Sequence, residues 1–175
     1  MVWSAPMTAV ANSVFTAAQF NQFVRDNLNE TAPAKATTAG THFAATGLNS
    51  IAERTLAAAL EGANEGTTST VYTNLATAGP AVTVTTGPVA VVMLYASIIN
   101  SAANASFMSF EVTGATSLGP TDNFAVGNTG TSPVRASAAF IVGGLNPGSN
   151  TFTTRYRAAA GTGTFDDRRI AVIPF

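Results

Sequence analysis

Any hydrolytic triad in this chain would have to run through His42, its only histidine. His42 follows Gly40-Thr41 in a stretch of low complexity, where a lone histidine reads as a solvent-facing or hydrogen-bonding residue rather than a base. The patterns Gly-x-Ser-x-Gly, His-Glu-x-x-His and Gly-x-x-x-x-Gly-Lys-Ser/Thr are all missing. Cysteine is absent, which removes disulfides, thiolate metal sites and cysteine nucleophiles together. One histidine without cysteine does not make a zinc site.

The acidic pair Asp166-Asp167 can supply half of a calcium site. Calcium wants six or more oxygens, however, and no Asp-x-Asp-x-Asp-Gly loop surrounds the pair. Followed at once by Arg168-Arg169, it reads as charge balance at a turn. Glu111, Asp122, Asp166 and Asp167 are the acids available for a glycosidase pair, and nothing in their spacing sets two across a cleft. Glycan binding has more material: Tyr72, Tyr95 and Tyr156 are possible stacking platforms, although all three lie in strand-like runs. Trp3, the only tryptophan, lies near the N-terminus. The sequons at Asn29 and Asn104 carry weight only in a secreted protein. These residues point to no catalysis, no cofactor and no metal.

Composition argues the same way. Hydrophobic residues make up 46% of the 175, enough for a real core, while charged residues make up only 10%. The latter is far below the roughly 25% of soluble proteins. So few charges suit a protein held in an assembly. The seven arginines are scattered, so no basic run resembles a nucleic-acid footprint. The start lacks the basic and apolar regions of a signal peptide. The longest apolar run, Val89 to Ile99, is too short to span a bilayer and reads as a buried strand. The expectation is a soluble protein made in the cytoplasm, or one that leaves without a signal peptide, with no nucleic-acid or membrane partner.

Three parts follow from the pattern. Residues 1–32 predict an extended lead and a short helical docking arm. Thr16 and Gln19 form a capping box, with Phe15 and Phe20 as its hydrophobic staple. Phe20, Phe23, Val24 and Leu28 then make one apolar face, with Arg25, Asp26 and Glu30 on the other side. Three to four turns are marginal alone, so the helix must pack on its own domain or on a partner. Residues 33–70 read as an Ala/Thr/Gly-rich linker in which Pro33 ends the arm. Ile51 to Leu60 can form a short helix there, with Asn49 or Ser50 as N-cap, Glu53 completing a capping box with Ser50, and Gly62 as its stop.

Residues 71–175 predict the compact domain. Turn signals at Gly79-Pro80, Gly87-Pro88, Gly119-Pro120, Gly143-Gly144 and Asn146-Pro-Gly148 punctuate short β-prone runs. These runs are Val71–Leu75, Ala81–Thr85, Val89–Ile99, Ala105–Val112, Asn123–Val126, Val134–Val142, Thr151–Ala158 and Arg168–Ile173. About eight strands in this length argue for an antiparallel β-sandwich or jelly roll.

One stretch carries a resemblance. Trp3, then Phe15-Thr-Ala-Ala-Gln-Phe-Asn-Gln-Phe-Val-Arg-Asp-Asn-Leu-Asn, then Ala32-Pro-Ala-Lys-Ala-Thr-Thr-Ala-Gly resemble the N-terminal segment of virion structural proteins of tailed phages of actinobacteria. Those are minor tail, tail-fibre or head-fibre/decoration proteins. Ala36 and Thr41 stand where Val and Asp are frequent in them. The resemblance covers about residues 3–55 and brings no catalytic residues. It implies a non-enzymatic protein on the exterior surface of a virion, docked on the major capsid protein or a tail protein. Trp3, Phe15, Phe20, Phe23, Val24 and Leu28 would be the anchors, with Arg25 and Asp26 on the rim. The C-terminal part is similar to domains that end such proteins, often homotrimeric with a C1q/tumour-necrosis-factor-like sandwich. Two readings stay open: capsid decoration, or a minor tail, receptor-binding module for a host cell-wall glycan.

Overall fold

The structure, a computed structural model, describes residues 3–175; Met1 and Val2, the first two positions of the expected arm, lie outside the described residues. The chain divides into two units, residues 1–55 with Phe175 and residues 56–174.

In the first unit an extended lead runs into α1 (Ala17–Phe20). Its start is the one the sequence calls for. The Thr16 hydroxyl accepts from the Gln19 N–H at 3.2 Å, and the Gln19 side chain accepts from the Thr16 N–H at 2.9 Å. Phe15 and Phe20 meet edge to face at 6.1 Å, closing the staple. The helix does not stay regular. A π-helical turn (Asn21–Arg25) precedes α2 (Asp26–Leu28). A π turn inserts a residue into the helical phase, so the single apolar face expected from regular spacing is broken. Phe23 and Val24 are half-buried, while Phe20 and Leu28 face outwards and Asn27 takes the buried place. Pro33 does not simply end the arm, since it sits in the first turn of α3 (Ala32–Lys35), where its missing N–H costs nothing.

The expected helix over Ile51–Leu60 is not there. β1 (His42–Gly47) and β2 (Ser50–Arg54) form an antiparallel hairpin, and β3 (Ala57–Glu61) belongs to the second unit. The Ala-, Leu- and Glu-rich composition favours helix intrinsically, yet cross-strand pairing overrides so weak a preference. Glu53, expected at a helix N-terminus, lies on β2 and holds the preceding loop. Its carboxylate accepts from the Thr37 N–H at 3.1 Å, the Thr38 N–H at 3.0 Å and the hydroxyls of Thr37 and Thr41. The Thr-Thr-Ala-Gly-Thr run is therefore a carboxylate cradle, not a free linker.

The second unit is a two-layer antiparallel sandwich. One sheet runs β5 (Ala81–Thr86), β10 (Gly148–Ala158), β7 (Ser106–Gly114), β8 (Val126–Asn128). The other runs β3, β11 (Gly163–Pro174), β6 (Val89–Asn100), β9 (Val134–Gly143), with β4 (Glu65–Thr67) also on β11. From β5 to β11 successive strands mostly change sheet, which is the jelly-roll path. The domain thus begins at about residue 56 and not at 71. Val71–Leu75 is no strand; it meets the sheet through a Thr73–Tyr156 bridge and sends Leu75 into the core. Asp122–Phe124 is a 3-10 turn instead of a strand start.

Alternation fills the space between the sheets: Val92, Leu94 and Ile98 from β6 meet Met108, Phe110, Val112, Phe152 and Tyr156 from the opposite layer. Phe124, Phe110 and Phe152 stack in series at 5.7 and 6.0 Å. Gly114, at φ 107°, lets β7 and β10 close, because a Cβ there would lie 2.4 Å from the Ser149 carbonyl oxygen. Phe110→Ala is expected to lower stability by about 3–5 kcal/mol, read as a shifted midpoint in urea unfolding with an unchanged slope.

Candidate interaction surfaces

The arm presents apolar side chains on a fixed backbone. Asn27, almost fully buried, does the fixing: its Oδ1 accepts from the Ser4 N–H at 2.8 Å and its Nδ2 donates to the Ser4 carbonyl at 3.1 Å. The same amide donates to the Phe23 carbonyl at 3.1 Å, so lead and helix are held as one piece. Nothing in the sequence marks this Asn except its place in the apolar spacing. Of the expected anchors, Phe15 (50%), Phe20 (49%) and Leu28 (60%) are exposed, and Val10 and Val14 join them. Trp3 is exposed and lines a cleft of about 340 Å³ with Glu30, Ala45, Asn49 and Ile51. Phe23 and Val24 face the unit's own interior more than the other anchors. Arg25 pairs with the adjacent Asp26 at 2.7 Å on the exposed side.

The sandwich has two outer faces of opposite chemistry. On the four-stranded sheet most outward residues are polar, with Thr83, Thr151 and Thr113 in one cross-strand row and Thr153 beside Glu111 in the next. The Thr83 and Thr151 hydroxyls lie 2.8 Å apart, and Arg155 pairs with Glu111. At its end Tyr72 donates to Asp122 at 2.8 Å and Arg157 binds the same carboxylate through Nε at 2.9 Å. The guanidinium lies 4.5 Å from the Phe107 ring centroid. Arg157 foremost, with Tyr72 also donating, holds the Asp122 carboxyl below its ordinary range, while burial pushes the Tyr72 phenol up. Here a suggested sugar platform meets an acid and an arginine near the surface, and their hydrogen-bonding groups already bind one another. Tyr156 is wholly buried, and Tyr95 lies on the other sheet.

The second face is apolar. Strand register sets Ile173, Val91 and Ile141 in one row, and Ala58, Ala171, Met93 and Ala139 in the next. Leu60, Arg169, Tyr95 and Ser137 form a third, where the Arg169 guanidinium lies 5.6 Å from the Tyr95 ring centroid. Asp166, Ser97 and Arg135 close the face with the only opposite charges in a row. The alanines leave an open trough of about 570 Å³ around Met93. Ile141 is 76% exposed at the edge. Four strands and the first three rows span roughly 400 Å², the size of the largest apolar patch on an ordinary monomer, which is often a functional one.

His42 opens β1, its ring edge-on to Phe175 at 5.7 Å within the first unit. Among the described residues no group of three or more His, Cys, Asp or Glu side chains can hold a metal ion, and no helix is long and apolar enough to cross a membrane.

These features define a jelly-roll β-sandwich carrying a separate N-terminal unit. No protein-family model matches the chain, and no curated protein does. Among solved structures it is similar to an Eiger TNF from S. frugiperda, at 13% identity over 70% of this chain and 92% of that one, with a TM-score of 0.47. It is also similar to murine APRIL in a crystal structure at pH 5.0, at 13% identity over 69% and 99% of the two chains, with a TM-score of 0.37. The fold assignment itself rests on the strand order.

Asn27→Ala removes the clamp and speeds amide exchange at Ser4 and along residues 17–28, leaving the sandwich strands unchanged. Four hydrogen-bond donors, led by the Thr37 hydroxyl, lower the Glu53 carboxyl from 4.5 to about 2. A depressed carboxylate contributes its full stabilisation above its unfolded value and loses it as pH falls through the folded one. The Thr37–Thr41 loop is therefore expected to loosen between about pH 4.5 and pH 2, and Glu53→Gln to loosen it at neutral pH, both read by NMR shifts of the Thr37 and Thr38 amides.

Proposed function

We propose that this chain is a non-enzymatic structural protein of a tailed-phage virion, docking on the capsid through its N-terminal arm and decorating the exterior. The observation that supports this most is the arm itself. Phe15, Phe20 and Leu28 stand exposed on a backbone that the capping box and the Asn27 clamp hold in place. Exposed aromatic anchors on a preorganised segment bind with little ordering cost. The resemblance of this same segment to phage virion proteins supplies the partner class, the major capsid protein or a tail protein. The sandwich would supply bulk and self-association, as a homotrimer joined through the apolar face around Met93. The glycan-binding alternative draws only on Tyr72, Asp122 and Arg157, whose polar groups already bind one another.

Removing residues 1–30 is expected to leave a folded sandwich that no longer joins particles; retained incorporation would overturn the docking role. The full chain is expected to sediment at three times its 17.8 kDa mass. Ile141→Asp, which puts a charge on an exposed edge position, should return it to monomer without loss of fold by circular dichroism.

A further inference from the structure

Arg168 is fully buried, and the reason is a backbone irregularity. Between Asp166 and Arg169 β11 takes three steps while its partner β6 takes two, from Ser97 to Tyr95. Asp167, at φ 51°, absorbs the extra residue. Aspartate tolerates that left-handed conformation better than most residues. The bulge shifts the alternation by one, so Arg168 points between the sheets and Arg169 outwards.

The buried guanidinium then gathers the edge of the sheet. It lies over the Tyr156 ring, 5.4 Å from its centroid. Nη1 donates to the Thr77 carbonyl at 3.3 Å, and Nη2 reaches Glu65 at 3.5 Å and Glu61 at 4.0 Å. Glu65 in turn accepts from the Thr77 N–H at 2.9 Å and hydroxyl at 2.7 Å, closing a ring of three residues. Nε has no hydrogen-bond partner. Glu61 ends β3 and Glu65 begins β4, and both strands pair with β11 alone.

We propose that Arg168, Glu61 and Glu65 form an acid-released latch: protonating Glu65 breaks its pairing with the buried guanidinium and frees the β3–β4 edge and, with it, the Ala58–Leu60 wall of the apolar face. The consequence for assembly rests on the self-association reading above; the latch does not. Its reason is the asymmetry of buried ion pairs, in which removing one partner's charge leaves the other buried and uncompensated. The groups facing the guanidinium are Glu61 from β3, Glu65 from β4 and the Tyr156 phenol from β10. β5 brings no titratable residue, β6 brings only Tyr95 on the opposite face, and Glu111 of β7 faces away towards Arg155. Thr77 foremost, with the charge of Arg168 adding, holds the Glu65 carboxyl below 4.5. The latch is therefore complete above that value and opens as pH falls below it.

Hydrogen exchange on the full chain, corrected for intrinsic rates, tests this at about pH 7 and about pH 3. Residues 57–67 should gain at least about tenfold in exchange relative to residues 81–86 and 148–158, the effect of losing one charged hydrogen bond. Glu65→Gln should produce much of that gain at neutral pH, and Arg168→Met should abolish the acid dependence. Exchange that rises in step across all strands, or a Glu65→Gln protein indistinguishable from wild type, would overturn the latch; Glu65→Gln decides the matter even if Arg168→Met does not fold. Sedimentation of the same samples separates the two readings: a monomer at neutral pH contradicts self-association, while the local exchange pattern still judges the latch.

Discussion

The strand β6 is apolar on both faces, and much of the sandwich answers to that constraint. Its inward residues Ala90, Val92, Leu94, Ala96 and Ile98 are sealed by the opposite layer. Its outward residues Val91, Met93 and Tyr95 have no second layer of the sandwich over them. A strand of this composition belongs where both faces are covered. The neighbours keep the same bias, through Ala171 and Ile173 on β11, Ala139 and Ile141 on β9, and Leu60 on β3. The opposite sheet shows that the bias is not general, since its outer face is a ladder of threonines and ion pairs.

The N-terminal unit meets a different constraint with side-chain hydrogen bonds instead of a core. Only Ala44 and Asn27 are buried there among the described residues. Short helical turns and a two-stranded hairpin are each marginal alone. Asn27 joins lead to helix, Glu53 joins loop to hairpin, and Lys35 joins α3 to β2 through the Ile51 carbonyl at 3.2 Å. Polar residues thus do the fixing while the aromatic residues remain exposed, the reverse of their usual division.

Legibility tracked how local the cause was. The Thr16–Gln19 capping box and the Phe15–Phe20 staple were readable because both partners lie within one turn. Most sandwich strands were readable from alternation and turn residues, although β10 begins earlier than expected, at Gly148. Ile51–Leu60 reads as a helix from its composition, whereas β2 pairs with β1 across a tight turn and β3 pairs with β11 far off in sequence. Asn27, Glu53 and Arg168 were invisible as structural centres for the same reason: their partners are 23, 12 to 16, and 91 to 103 residues away. The run Val89–Ile99 reads as a buried strand, yet the opposite layer seals only one of its two faces.

Met93 offers the most direct measurement of whether that outer face is covered. Its thioether lies in the centre of the apolar trough, whereas Met108 is wholly buried in the core and Met7 is partly exposed on the lead. Peroxide oxidation of the full chain, resolved by residue in a mass spectrometer, should find Met93 as slow as Met108 and Met7 fast. Met93 oxidising at the rate of Met7 would contradict the account, because the face would then be open to solvent.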